Sequence, residues 1–157
     1  AEKYKVMVFG DSQSSSQVGY VTKFKNMTLI CPNEKEARLS LRNKTSGIEH
    51  LAMQLFKDCN PEYLIMTLGS QGFISYLKDS NNKIINQYFP ALTSNPLDVT
   101  GAGDSLLACM ALSLSSGLSV MEASAISCFI CNLVVESIGN KPVTVEKLFE
   151  RMNEYLY

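Results

Sequence analysis

The sequence predicts an α/β fold built in layers around a mostly parallel sheet, and three features carry the prediction. Short apolar runs that stop at glycine or proline alternate with segments of helical periodicity. One run, YLIMTLG at 63–69, is apolar enough to be a central strand covered on both faces. Beyond residue 95 the pattern is helical only. Such elements bury their apolar sides against one another in layers, and crossovers between parallel strands are right-handed.

The elements follow in order. YKVMVFG (4–10) is a short apolar, β-branched run that ends at Gly10 and Asp11, a strand feeding a loop. MTLICP (27–32) is a second strand, stopped by Pro32, which has no N–H to give a ladder. Asn33 then caps a helix over 34–41, whose acidic residues lie in the first turn where the helix dipole favours them. Ser46 caps a helix over 47–59, with Glu49 three residues on completing a capping box. Strands follow at 63–69, 72–78 and 83–89, and the last two, separated by DSNN, form a hairpin or an edge pair. Helices over 102–116 and 120–137 are closed by Gly117 and Gly139, and a third over 144–155 is opened by Thr144.

Composition narrows the function. The 157 residues, 46% hydrophobic and 18% charged, suffice for one core and suggest a single globular domain. Fourteen basic and fifteen acidic residues give a formal charge of -1 with no long run of one sign, which argues against nucleic acid and anionic membrane as partners. The most apolar stretch, AISCFICNLVV, is broken by Asn132 and is shorter than the roughly 18 residues a membrane span needs. The first residues carry no signal pattern, which points to a cytoplasmic location. The five cysteines are scattered through apolar segments and read as core packing, Cys128 and Cys131 included, and the single histidine, His50, reads as a solvated helix flank.

One stretch carries chemistry. In SNPLDVTGAGDSLLACMAL (94–112) two glycines flank an alanine and an aspartate follows, immediately before an apolar helix. A glycine turn entering a helix lets backbone N–H groups converge without Cβ interference, and the first N–H groups of a helix have no internal partner. With the helix dipole this makes a phosphate site. Asp104 beside such a site suits a base that takes a proton from an attacking hydroxyl, while the N–H groups of Gly101, Ala102 and Gly103 hold the transferring phosphoryl. The plain alternative is an acidic first turn on a core helix.

DVTGAGDS at 98–105 resembles the second signature of the PfkB (ribokinase-like) sugar kinases, Asp-Thr-x-Gly-Ala-Gly-Asp. PNEKEA at 32–37 is similar to the family's Asn-x-x-Glu motif, and LIMTLGSQG at 64–72 to its nucleotide-contacting Thr-Leu-Gly-x-x-Gly segment. With LVVESIGNKPVT at 133–144, the chain is most similar to the heptose-7-phosphate kinase subgroup. The resemblance implies a ribokinase-like fold of which residues 1–157 form the C-terminal, ATP-binding half, with the N-terminal half absent. It implies Asp104 as general base and Gly101, Ala102 and Gly103 as the anion hole. It places Asn33 and Glu36 at a Mg²⁺ ion held through water, and Thr67, Gly69, Ser70 and Gly72 along the ATP site. Asp98 and Thr100 stand where some relatives hold an activating K⁺ ion. Cys128 falls where the family often carries an asparagine near the adenine, and the loop GDSQSSSQVG (10–19) lacks the basic side chain frequent there. The implied partners are ATP, a sugar or sugar phosphate, and the missing half or another chain covering the sheet edge. Two readings stay open: half of an ATP-dependent sugar kinase, or a non-catalytic nucleotide-binding or assembly module that keeps the fold. Asn33 as a mere helix cap, and Glu36 as a mere dipole-complementing acid, also stay open.

Overall fold

The computed structural model describes residues 4, 6–12, 20–93, 95–139 and 141–156, so most of the loop 10–19 and part of the expected strand 4–10 lie outside the described residues. These residues form two compact units, one of Ala1–Gly69 with Phe73–Tyr88 and one of Ser70–Gly72 with Phe89–Tyr157.

The first unit is built on a five-stranded sheet in the order β1 (Phe9–Gly10), β2 (Leu29–Ile30), β3 (Tyr63–Thr67), β4 (Phe73–Lys78), β5 (Ile84–Phe89). β1 pairs with β2, and β2 with β3, in parallel; β3 and β4 are antiparallel, with Ile65 opposite Ser75. The expected central strand is therefore central, and Leu64, Ile65 and Met66 have no exposed surface. The first two strands are shorter than predicted. Val8 gives its N–H to the Thr28 hydroxyl (3.1 Å) in place of a backbone partner, which ends regular pairing before Phe9. Asp79 turns the chain between β4 and β5, as predicted for DSNN, its carboxylate accepting from the N–H groups of Asn81 and Lys83 (both 2.8 Å).

Two helices cover this sheet. α1 (Glu34–Leu41) begins with a complete capping box: Asn33 Oδ1 accepts from Glu36 N–H (2.8 Å) and Glu36 Oε2 accepts from Asn33 N–H (2.9 Å). α2 (Ile48–Cys59) corrects the sequence reading, because its cap is Gly47 and no side chain closes the end. Ser46 is held one residue too early: its N–H reaches Asn43 Oδ1 (3.2 Å) and its carbonyl accepts from Arg38 (2.9 Å). Glu49 completes no box and instead accepts from the Tyr76 hydroxyl and the Asn86 amide (both 3.3 Å). Burial pushes the Tyr76 phenol well above its ordinary range, and the adjacent Glu49 carboxylate adds to the effect. Leu51, Leu55 and Phe56 of α2 pack with Ile30, Leu64, Met66 and Tyr76 of the sheet. Each such side chain contributes about 1.5–3 kcal/mol of burial free energy.

The second unit contains α3 (Ala102–Ser115), α4 (Val120–Val135) and α5 (Val145–Leu156). Gly117, with φ +91°, closes α3 as predicted, and Leu118 N–H returns to the Ser113 carbonyl (3.1 Å). α4 opens with a Ser119–Glu122 capping box and ends two residues earlier than expected. Asn132, the polar break in its apolar run, is buried and partnered through both amide atoms: it donates to Glu136 Oε1 (2.9 Å) and accepts from Arg151 of α5. Arg151 also pairs with Glu136 (2.8 Å) and Glu154 (2.9 Å), and Phe129 meets Tyr155 edge-on at 5.4 Å. None of the five cysteines is in a disulfide, and Cys59, Cys31 and Cys128 are buried. His50 is exposed on α2, as expected. Among the described residues no helix is long and apolar enough to cross a membrane.

Candidate functional site

In the first unit the carboxyl ends of β2 and β3 deliver the expected nucleotide residues side by side. Thr67 N–H donates to the Pro32 carbonyl (3.0 Å), bridging Thr67 to Asn33 just beyond the paired residues of β2. An open cleft of about 450 Å³ forms there, lined by Asn33, Thr67 and Gly69 and by Glu34, Lys35, Arg38, Leu39 and Leu68. Gly69 adopts φ +60°, a left-handed turn that carries the backbone out of β3. Glu36 is buried; Asn33 caps α1 as predicted, and Glu36, read from the sequence as a dipole-complementing acid, closes the box in return. Only Oε2 of Glu36 is engaged among the described residues.

The second unit holds Ser70, Gly72 and the stretch from Asp98 to Asp104. Gly72 (φ +99°) is forced: a Cβ there would stand 2.1 Å from the Phe89 carbonyl oxygen and 2.7 Å from the Ala91 nitrogen. Asp98 is clamped by its neighbours. Its Oδ1 accepts from Thr100 N–H (2.9 Å), its Oδ2 from Gly139 N–H (3.2 Å), and the N–H groups of Leu97 and Asp98 both reach the Val135 carbonyl (2.7 and 3.2 Å). These bonds, Thr100 first, hold the Asp98 carboxyl below its ordinary value. The clamp fixes the approach to α3. Gly101 turns the chain at φ +78°, and the first helical bond runs from Ser105 N–H to the Gly101 carbonyl (2.9 Å).

Of the three N–H groups expected to form an anion hole, one is engaged. Ala102 N–H folds back to the Val99 carbonyl (3.3 Å), which leaves the N–H groups of Gly101, Gly103 and Asp104 as those with no partner inside the helix. A Cβ at Gly103 would meet nothing within 4 Å, so open space faces this turn. Asp104 is exposed, and its carboxylate makes no hydrogen bond or ion pair among the described residues. Cys128 gives its one thiol proton to the Pro90 carbonyl (3.1 Å) and is buried, so it presents no free donor in the asparagine's place.

Several residues escaped the sequence reading. Lys35 and Arg38 line the cleft beside Asn33, and their spacing of three on a helix was a usable signal. Val135 and Gly139 position Asp98 from about forty residues away, which no local pattern reveals.

The model of the pfkB family carbohydrate kinases matches residues 1–146. The chain belongs to the pfkB family. The bifunctional protein HldE of Campylobacter concisus is 31% identical over 155 residues, covering 96% of this chain and 30% of that protein. Phosphofructokinase-2 from Escherichia coli, solved in complex with potassium, superposes with a TM-score of 0.81 at 16% identity over all of this chain and 50% of its own. Arabidopsis thaliana ribokinase, solved with ribose and ATP, superposes with a TM-score of 0.76 at 21% identity over 96% of this chain and 48% of its own. The fold is thus that of the ribokinase-like kinases, and the pfkB chain spans about half of the solved relatives and under a third of the curated one.

The residues present fit the Mg²⁺ that such kinases imply. Among the described residues no three His, Cys, Asp or Glu side chains gather as a metal cage. With the Asn33 oxygen taken by Glu36 N–H, the remaining carboxylate oxygen of Glu36 is a sparse, hard donor, which suits an ion that keeps its waters and is held mainly by substrate phosphates.

Proposed function

We propose that this chain is the nucleotide-binding and catalytic-base part of an ATP-dependent kinase that phosphorylates a hydroxyl of a sugar or sugar phosphate, with a heptose 7-phosphate as the leading candidate substrate. The observation that carries this reading is the turn 98–104. A clamped Asp98 aims a glycine-rich helix entrance into open space, and an unpartnered carboxylate stands on its first turn. Asp104 takes the proton of the acceptor hydroxyl as that oxygen bonds to the γ-phosphorus and the bond to the β-phosphate oxygen breaks. The N–H groups of Gly101 and Gly103 receive the charge on the transferring group. Asn33, Thr67, Gly69, Ser70 and Gly72 position ATP. Glu36 would hold Mg²⁺ through water, and that ion would supply charge neutralisation when bound; Asp98 with Thr100 would lie near a site for K⁺. The heptose assignment draws on the HldE relatives, and the additional length of those relatives is where we place the sugar contacts.

Asp104→Asn in the longest natural form of the protein tests the reading. The amide keeps the shape but accepts no proton, so kcat falls roughly 10²- to 10⁴-fold while ATP affinity stays within about twofold. An unchanged kcat removes Asp104 from the reaction, whereas ATP binding without turnover in the wild type would make a non-catalytic nucleotide-binding module the better description.

A further inference from the structure

We infer that Lys35 is the cation that grips the polyphosphate of the nucleotide, an assignment that rests on the nucleotide reading of the cleft just given. The cleft has two basic side chains in its wall, Lys35 and Arg38, with one acid, Glu34. Arg38 is already spent. Its guanidinium pairs with Glu34 at 2.8 Å and donates to the Ser46 carbonyl at 2.9 Å, so the charges of Arg38 and Glu34 cancel and its fork is tied to the turn before α2. Lys35 is exposed and makes no hydrogen bond or ion pair among the described residues. The one uncompensated charge on the cleft wall is therefore an ammonium on a flexible stem.

Its setting favours a phosphate chain over a sugar or a base. Lys35 lies two residues after Asn33, whose side-chain oxygen is occupied by Glu36 N–H, leaving the amide Nδ2 as a donor. Across the cleft the chain leaves β3 at Thr67 and turns at Gly69, where a Cβ would meet nothing within 4 Å. The polar groups available to a ligand in this corner are the Lys35 ammonium and the Asn33 amide, which donate, and the Thr67 hydroxyl, which can donate or accept; the acid in the wall, Glu34, is paired with Arg38. A triphosphate supplies acceptors only and carries enough charge to draw in a single lysine, whereas a neutral ligand would leave the ammonium unpaired. A lysine serves here as a point charge that can follow the phosphate chain, in contrast to the forked geometry already fixed in Arg38.

The test compares ATP with AMP on the wild type, Lys35→Gln and Lys35→Arg, by fluorescence titration with Mg²⁺ present and circular dichroism verifying the fold. Losing one charge-assisted contact weakens ATP by about tenfold or more in Lys35→Gln. AMP affinity stays within about twofold, because only the distal phosphates are lost as partners. Lys35→Arg restores most of the ATP affinity. If Lys35→Gln binds ATP as the wild type does, the role of Lys35 is overturned and the nucleotide reading stands. If ATP and AMP weaken together, Lys35 shapes the cleft and grips no phosphate, which also overturns the inference. If the wild type binds neither nucleotide, the reading of the cleft falls and the role of Lys35 falls with it.

Discussion

The carboxylate of Asp98 accepts a hydrogen bond from the backbone N–H of Gly139 at 3.2 Å, tying the entrance of α3 to the exit of α4 across 41 residues of sequence. The same carboxylate accepts from Thr100 N–H at 2.9 Å, so one side chain sets both the turn and its anchor.

Removing that side chain should loosen the turn without detaching it. In Asp98→Ala the Leu97 and Asp98 N–H bonds to the Val135 carbonyl survive, because they are made by the backbone. Hydrogen exchange at Thr100 and Gly139 should rise roughly three- to tenfold, the range for a lost charge-assisted bond at an exposed site, while exchange at residue 97 stays as it was. Equal exchange in both proteins at Gly139 would mean that the clamp does not form in solution.

Two glycines of one segment should respond differently to a methyl group. Gly72→Ala meets the Phe89 carbonyl at 2.1 Å in addition to the strain of φ +99°, so it should cost about 3 kcal/mol or more of unfolding free energy. Gly69→Ala meets open space at φ +60° and should cost about 1 kcal/mol. Urea midpoints of the two variants decide the matter, and comparable losses would contradict the backbone approach at Gly72.

The Glu136–Arg151 pair gives the second unit a pH dependence with a definite sign. The hydrogen bond from Arg151 lowers the Glu136 carboxyl below its ordinary value of 4.5. A lowered folded value means that the stabilisation is complete above about pH 4.5 and is lost as pH falls through the folded value. The pair is partly exposed, so its contribution is about 1 kcal/mol after screening. The stability gap between wild type and Glu136→Gln should therefore be open at pH 7 and close on acidification toward pH 3, as read by urea unfolding at each pH. A gap that widens on acidification would refute the pairing.

Burial also protects thiols. It pushes the Cys59 and Cys128 thiols up and carries Cys131 to about 12, with Cys128 and Cys109 adding to the last. Because the thiolate is the reactive form, iodoacetamide at pH 8 should leave these three unmodified in the folded protein and label them fully in urea, as read by peptide mass spectrometry. Rapid labelling of Cys131 in the folded state would show that α4 is not packed against the Ala102 carbonyl, which its sulfur meets at 3.7 Å.

Much of this molecule was legible in the residues themselves because the decisive signals are local. Pro32 and Asn33 mark a strand end and a helix start within two positions, and Asn33 caps α1 as predicted, although the return bond from Glu36 was not foreseen. The apolar run at 63–69 placed β3 at the centre. Ser46 misled because the same capping signal was overridden by a distant partner: Arg38 holds its carbonyl, and Glu49 is drawn to Tyr76 and Asn86. Nonlocal pairing likewise hid the role of Asn132, whose partner Arg151 lies on another helix. The fold-back of Ala102 N–H to Val99 is a matter of dihedral angles that a residue name does not encode.

The capping box and Asp104 respond to different selective pressures. Asn33 and Glu36 close the start of α1, a task worth about 0.5–2 kcal/mol in any protein that needs this helix. A lineage that abandoned phosphoryl transfer would still be held to them by folding alone. The Asp104 carboxylate closes nothing and pairs with nothing among the described residues; beyond the modest dipole benefit of an acid in a first turn, stability offers no reason to retain it. In a collection of such chains, the survival of PNEKE would therefore not separate working enzymes from pseudoenzymes, whereas on the role proposed for Asp104 the loss of the acid at position 104 would mark where catalysis had lapsed and only the scaffold had been kept.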